Sequence, residues 1–376
     1  MKKLLLAALA IAAMAACTKS NVQLEQPGEI SFQPVTQKAT KAVVDGPAYP
    51  TDAAYNFNIW AWWGSQNAGT DIAEFSGNRP YIEKGKFVYR NGSNWGGATP
   101  YYWPSNGSLV FAGYSPADAI GNFSYNLGDK TLTVTGYTQP NTLADAKDLM
   151  WFDVTKESYD QNVSATEGIP VTFQHALSWL TFKFNLKDSS TDKRWTITNV
   201  QLKGIEDKAT FTATKGGTTS WTAQENSTTD SDIINVFTGT YTVEYNENGT
   251  VLPGTDVEVK DNNGNVITGV KNNAVLVIPQ SCAPGDPTKT PAVPADAELE
   301  ITYNLKTYVS NTEGNATYLT GQTITLPLNG TPINDNKWHP GKHYIYTITF
   351  GANEILIAPS VVENWGEMPV ENIPIQ

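Results

Sequence analysis

Short runs in which apolar and polar residues alternate, each bounded by Gly, Asn, Pro or Asp, recur along most of this chain. They include KFVYR at 86–90, SLVFAGY at 108–114, TLTVTGY at 131–137, LTFKFNL at 180–186, AVLVIPQ at 274–280, LEITYNL at 299–305 and HYIYTITF at 343–350. A period of two puts successive side chains on opposite faces, the pattern of a strand with one face on a core. Many such runs with closely spaced turn signals predict an all-β chain of antiparallel sandwich type. In VEVKDNNGNVITGV at 257–270, NNGN supplies the positive-φ positions of a tight hairpin. Helical periodicity is nearly absent. The best helical candidate, TLADAKDLMWF at 142–152, amounts to two or three turns and is marginal alone.

One strand poses a sharper question. YNFNIWAWWG at 55–64 is dense in aromatic residues, and such a segment is either an exposed platform for stacking sugars or a buried strand. Tyr55, Phe57, Ile59, Ala61 and Trp63 share one face and are expected on a core. Asn56, Asn58, Trp60 and Trp62 share the other, with the two Trp expected beneath a neighbouring segment. PYYWPSNG at 100–107, which ends in a turn, is the cluster expected to be exposed.

At 376 residues the chain exceeds what one core usually organises, so two domains are expected. The stretch DVTKESYDQNVSATEG at 153–168 has few apolar residues and reads as the linker, dividing the chain into 46–160 and 161–376. A Pro-rich run at 283–298 reads as an exposed loop with Cys282 at its base.

The first residues, MKKLLLAALAIAAMAAC, carry two Lys, a short apolar run and then Cys17. That run is too short to span a bilayer as a helix and has the layout of a secretory signal over 1–16. Its end resembles the lipobox of bacterial lipoproteins. The resemblance implies cleavage before Cys17 and acylation of that residue, which would hold the protein on a membrane. Residues 17–45 then form a lipidated segment: a polar tether, and EISFQPVTQKATKAVV at 29–44, a short strand with Ile30 and Phe32 on one face.

With Cys17 lipidated, only Cys282 remains, so no intramolecular disulfide is expected. A formal charge of -12 without a basic cluster beyond the signal argues against nucleic acid as a partner. His339 and His343 are four apart, but Pro340 and Gly341 between them forbid the helix that would align them as metal ligands. His175 reads as a hydrogen-bonded residue at a strand entrance. Nothing near Cys282 favours its thiolate, and no phosphate-binding loop or nucleophile elbow is present. The chain is therefore expected to carry no catalytic residues, no metal and no cofactor, and to be no enzyme.

Taken in order, several of these segments resemble the fimbrillin family of Bacteroidetes lipoproteins, the subunits of type V pili. They are Cys17, ISFQPVTQKATKA, FNIWAWWG, YYWPSNGSLVFAGYSP, DLM at 148–150, VTFQHALSWLTFKF, AVLVIPQ, KWHPGKHYIYTITF and VVENW. The resemblance implies two transthyretin-like β-sandwich domains in tandem, export as an outer-membrane lipoprotein, and assembly into a pilus (fimbria) that mediates adhesion. It further implies that a protease cuts behind the first strand, and that a strand from the C-terminal region of a neighbouring subunit enters the groove left behind.

Carried onto this chain, the removable strand holds Ile30 and Phe32, and the cut follows Lys38 or Lys41. The best-known members are cut after Arg, whereas the first Arg here is Arg79. A Lys-directed cut, another protease or no cut are therefore all open, and a solvated loop is the other reading of the two Lys. The donor would be drawn from Ile355, Ile357, Val361 and Val362, with Trp365 as an anchor; the other reading of this run is the last strand of the subunit's own sandwich. The expected partners are other pilus subunits, the membrane through the lipid, and a host or bacterial surface ligand. The rival function is a surface glycan-binding lipoprotein of a polysaccharide-uptake system.

Overall fold

A computed structural model describes residues 28–36, 49, 55–64, 79–91, 94–105, 107–158, 168–187, 192–214, 216–223, 233–260, 266–282, 297–309, 312–328, 336–351 and 354–364. Strands are numbered in chain order. β1 (Ser31–Thr36), β2 (Asn56–Gly64), β3 (Ile82–Asn91), β4 (Asn94–Gly97), β5 (Ser108–Ser115), β8 (Met150–Ser158) and β9 (Ile169–His175) close a barrel in the order β1-β4-β3-β2-β5-β8-β9. Its interior is largely aromatic, with Phe32, Phe57, Phe87, Phe111 and Phe173 all fully buried. Packing is close enough that β5 carries Gly113 where a Cβ would fall 2.3 Å from the Phe152 ring and 2.7 Å from the Asn58 carbonyl.

A second sheet covers one outer face of this barrel. β6 (Asn122–Asn126), β7 (Thr131–Thr138), β12 (Lys208–Thr214) and β13 (Thr218–Ala223) run in the order β13-β12-β7-β6. Phe123, Leu132, Val134 and Phe211 from this sheet share one core with Trp60, Trp62, Val110, Tyr114 and Trp151 of the barrel wall. Tyr125 of β6 lies 5.1 Å from Trp62 and 6.3 Å from Trp60, ring to ring. Both faces of β2 are therefore covered, with Phe57, Ile59 and Ala61 inside the barrel and Trp60 and Trp62 under the second sheet. Trp63 departs from the expected core face and is 37% exposed. It stands at the last turn of the strand, against Gly107, where the barrel interior has ended.

The remaining strands form a sandwich. One sheet holds β10 (Ser178–Leu186), β15 (Thr250–Val251), β18 (Val275–Val277), β21 (Lys342–Phe350) and β22 (Ile355–Asn364), in the order β15-β10-β21-β22 with β18 also on β10. The facing sheet is β14-β11-β19-β20, from β11 (Lys193–Lys203), β14 (Ile233–Thr242), β19 (Glu298–Val309) and β20 (Thr312–Pro327). Leu180, Phe182, Phe184, Tyr346 and Ile348 of the first meet Ile197, Val200, Leu202, Leu299 and Ile301 of the second, and Cys282 is fully buried in the same core. β16 (Val257–Lys260) and β17 (Val266–Asn272) pair as the expected hairpin.

The all-β class holds, with two departures in detail. Two strand pairings are parallel, β1 with β9 and β10 with β21. Each joins strands far apart in sequence, the long crossover that parallel pairing requires. The helical candidate at 142–152 yields only a 3-10 turn at Leu143–Asp145, and Met150 already opens β8. The expected division at 160/161 falls within 159–167, outside the described residues, and hydrogen bonding crosses it: β9 returns to the barrel, and the β6–β7 hairpin pairs with β12.

Candidate strand-exchange groove and donor strand

β1 fills a slot in the barrel wall. On one side it runs parallel to β9 through five residue pairs, from Phe32 with Ile169 to Thr36 with Phe173. On the other it is antiparallel to β4 through only two, Ser31 with Gly96 and Phe32 with Trp95. Just before the strand, the Ile30 N–H donates to the Tyr101 carbonyl at 2.7 Å, and the Trp103 N–H to the Gly28 carbonyl at 3.1 Å. Past Phe32, β1 is paired with β9 alone among the described residues.

Alternation decides what the slot holds. Ile30, Phe32 and Pro34 point inward and are buried, whereas Val35 is exposed. Phe32 is the centre of the contact: its ring meets those of Phe87 at 4.9 Å, Phe111 at 5.2 Å and Phe57 at 5.8 Å, each edge to face. Such pairs add about 0.5–1.5 kcal/mol each beyond area burial. Pro34 has no N–H to give the ladder, which suits a place where β4 no longer pairs. Gly168, at φ +72, abuts the strand's main chain: a Cβ there would lie 2.9 Å from the Phe32 carbonyl carbon and 3.2 Å from the Gln33 nitrogen. The slot thus meets backbone at its rim and buries the side chains of Ile30, Phe32 and Pro34, every second position.

Behind the slot, Tyr49 is tied into the barrel. It is 1% exposed, its ring lies 5.4 Å from Trp95 and 5.2 Å from Phe173, and its hydroxyl is 2.6 Å from Ser115 Oγ. Burial pushes its phenol well above the usual range. Lys38 and Lys41, between β1 and this anchor, lie outside the described residues, as does Cys17.

Among the described residues, β22 is the edge strand of the sandwich and pairs antiparallel with β21 alone. Ile355 and Ile357 are half-buried opposite Phe350 and Ile348, while Leu356, Val361 and Val362 are exposed at 46%, 57% and 42%. Trp365 lies outside the described residues. In this structure, then, the run serves its own sandwich. The removable-strand and donor residues are not brought together: the first sit in the barrel wall, the second on the sandwich edge.

Sequence reasoning missed the walls of the slot. Val171 and Phe173 are signalled by the alternation in IPVTFQH, but Trp95 sits on a four-residue strand too short to show a period, and no local signal marks Tyr49. Of the cluster expected to be exposed, Tyr102 is exposed at 47%, yet Trp103 is 2% exposed and fills the barrel mouth against Phe111 at 6.0 Å. His175 and His343 are buried, whereas His339 is exposed. His175 Nδ1 is 2.9 Å from Asp148 Oδ2 with both side chains buried, and His343 stacks on Trp179 at 3.3 Å and meets Thr181 Oγ1 at 2.9 Å.

Fold and slot together describe an all-β protein in which the chain's own strand β1 fills a slot between β4 and β9. The chain belongs to the fimbrillin-like family, whose model matches residues 40–365. This is a family of structural fimbrial and adhesion proteins, and membership implies a place in a cell-surface pilus beside other pilus subunits. Among solved structures, a fimbrial protein from Bacteroides vulgatus is 16% identical, with 87% of this chain and 98% of that one covered at a TM-score of 0.50. A candidate cell adhesion protein from Bacteroides uniformis is 17% identical, with 90% and 98% covered at a TM-score of 0.47. The tip fimbrial protein Mfa3 from Porphyromonas gingivalis is 10% identical, with 90% and 100% covered at a TM-score of 0.33. No curated protein matches by sequence.

Proposed function

We propose that this protein is a pilus subunit or pilus adhesin that reaches the outer membrane as a lipoprotein on Cys17 and joins its neighbours by strand exchange. In this reading a cut after Lys38 or Lys41 releases the segment that carries β1. The groove between β4 and β9 then accepts a donor strand, with main-chain hydrogen bonds giving affinity and alternate pockets giving selectivity. The observation that carries the reading is the setting of Phe32: it is fully buried among three barrel rings, yet its strand is bound to β4 by two residue pairs only. Loss of such a strand leaves an apolar groove with two exposed strand edges, a state that strongly favours capture of another strand. Tyr49 supports it further, since the chain beyond the cut stays moored in the barrel. The two-domain, transthyretin-like division belongs to the same proposal, with the barrel and its covering sheet as the N-terminal unit and the sandwich as the C-terminal one.

The test uses producing cells. Cys17→Ala is expected to abolish lipid labelling and membrane retention. The Lys38→Ala, Lys41→Ala double variant is expected to reach the surface uncut and form no fibres. Fibres of normal number from the double variant would remove the cut from the account. Binding of soluble glycan by the intact monomer would instead favour the glycan-binding reading.

A further inference from the structure

Three exposed aromatic side chains gather around one loop at the barrel mouth, the segment 100–107 between β4 and β5. Tyr102 stands on the loop itself. Tyr81, just ahead of β3, donates its hydroxyl to the Tyr102 carbonyl at 2.7 Å and its N–H to the Ala61 carbonyl at 2.6 Å. Trp63, at the end of β2, lies against the other end of the loop, where a Cβ on Gly107 would meet the indole nitrogen at 2.3 Å. The aromatics are thus fixed to the loop that they surround. Trp63, Tyr81 and Tyr102 are three of the five exposed Trp and Tyr side chains among the described residues, a concentration rather than the single scattered residues that are normal on a surface. Arg79 and Glu83 are exposed on either side of Tyr81 in the chain, and among the described residues neither enters an ion pair.

The chain carries a segment whose chemistry fits this ridge. APGDPTKTPAVPAD at 283–296, which lies outside the described residues, has four Pro in fourteen residues. Its flanks are fixed in the sandwich: the Cys282 N–H donates to the Asn336 carbonyl at 2.7 Å, and the Leu328 N–H to the Ala297 carbonyl at 2.8 Å. Connections of this length are uncommon in compact domains and usually serve binding or another function. A Pro-rich run favours the polyproline II helix, with three residues per turn and a rise of about 3.1 Å per residue, so half of it reaches about 20 Å from its roots. In that helix Pro284 and Pro287 fall on one edge, and Asp286 and Lys289 on another. Aromatic ridges bind such helices because prolyl rings pack on them and the preformed helix loses little entropy. The charges also correspond, Asp286 and Lys289 being opposite in sign to Arg79 and Glu83.

We propose that residues 283–296 of a second copy dock on the Trp63, Tyr81 and Tyr102 ridge as a polyproline II helix, with Pro284 and Pro287 on the rings, Asp286 toward Arg79 and Lys289 toward Glu83. The contact is an interface between copies that needs no cleavage and leaves the β1 slot filled. It takes its purpose from the proposed assembly of subunits and does not depend on strand exchange.

Two measurements on the uncut full-length protein test it. In the first, a labelled peptide of residues 283–297 is titrated with the protein and followed by fluorescence anisotropy. Saturable binding is expected, weakened about tenfold or more by Tyr102→Ala, whose exposed side chain leaves the barrel core untouched. Alanine in place of Pro284 and Pro287 of the peptide is expected to weaken it to the same degree. Arg79→Asp is expected to lower affinity about threefold, and a peptide with Asp286→Arg to recover it. In the second, isotopically light and heavy chains are mixed and treated with a carbodiimide, which joins an amine directly to a carboxylate. A Lys289–Glu83 crosslink between a light and a heavy chain is expected. No saturable peptide binding, or binding that Tyr102→Ala leaves unchanged, overturns the proposal. Crosslinks confined to chains of one isotope place the segment on its own ridge and overturn docking by a second copy. Because no protease is present, each of these failures leaves the strand-exchange reading standing, and a failure of cleaved protein to form fibres leaves this contact standing.

Discussion

Phe32 concentrates the energetics of the N-terminal barrel in one side chain. Burial of a Phe and its cavity cost on removal predict that Phe32→Ala lowers the stability of the uncut protein by about 3–5 kcal/mol, read from denaturant midpoints. Gln33→Ala, on the outward face of the same strand, is expected to change it by no more than about 0.5 kcal/mol. Equal effects would mean that the strand is held by its ladder and not by its pockets. Trp62→Ala is predicted to cost a comparable amount to Phe32→Ala, because the indole is buried under β6 and β7; an unchanged midpoint would return Trp62 to the role of a sugar platform.

Tyr49 and Tyr137 add a pH dependence. Burial raises both phenols above the usual value of 10.0, with the Asp148 charge contributing to each. Folded phenols then stay neutral where unfolded ones ionise, so this contribution is complete below about pH 10 and is lost as pH rises beyond it. Denaturant midpoints should therefore fall between about pH 9 and pH 11, and less steeply in Tyr49→Phe, which keeps the ring and loses the hydroxyl.

At the scale of elements, β1 and β22 are both strands that can leave without cutting a sheet in two. β22 has a single partner, and β1 holds β4 by two residue pairs. Regions with few buried contacts and exposed backbone open at lower free energy than core strands. Native-state hydrogen exchange of the uncut protein is expected to show 355–364 opening more readily than 180–184 of β10; protection of β22 equal to that of β10 would contradict the donor role proposed for it. These elements also show what could be read in advance. The alternation of ISFQP and FNIWAWWG gives the strands and their inward residues correctly except at Trp63, because a period of two is a local property of the backbone. Which strand pairs with which is not local. The parallel meeting of β1 with β9 joins residues 137 positions apart (169 minus 32), β7 and β12 pair residues 70 to 83 apart (208 minus 138, 214 minus 131), and four-residue β4 shows no period at all.

For the whole molecule, the proposed strand exchange makes the barrel closed by β1 and the sandwich edged by β22 two halves of one connection, a site to be emptied and a strand to fill such a site. In the uncut chain both are occupied at home, which keeps apolar edges covered until the N-terminal segment is lost. The most direct measurement treats purified full-length protein with a Lys-specific protease, determines the new N-terminus by mass spectrometry, and follows the sample by electron microscopy. The account predicts cleavage after Lys38 or Lys41, release of the segment carrying β1, and fibres that grow only after that release. Cleavage and release that leave a stable, unassociated monomer would contradict it.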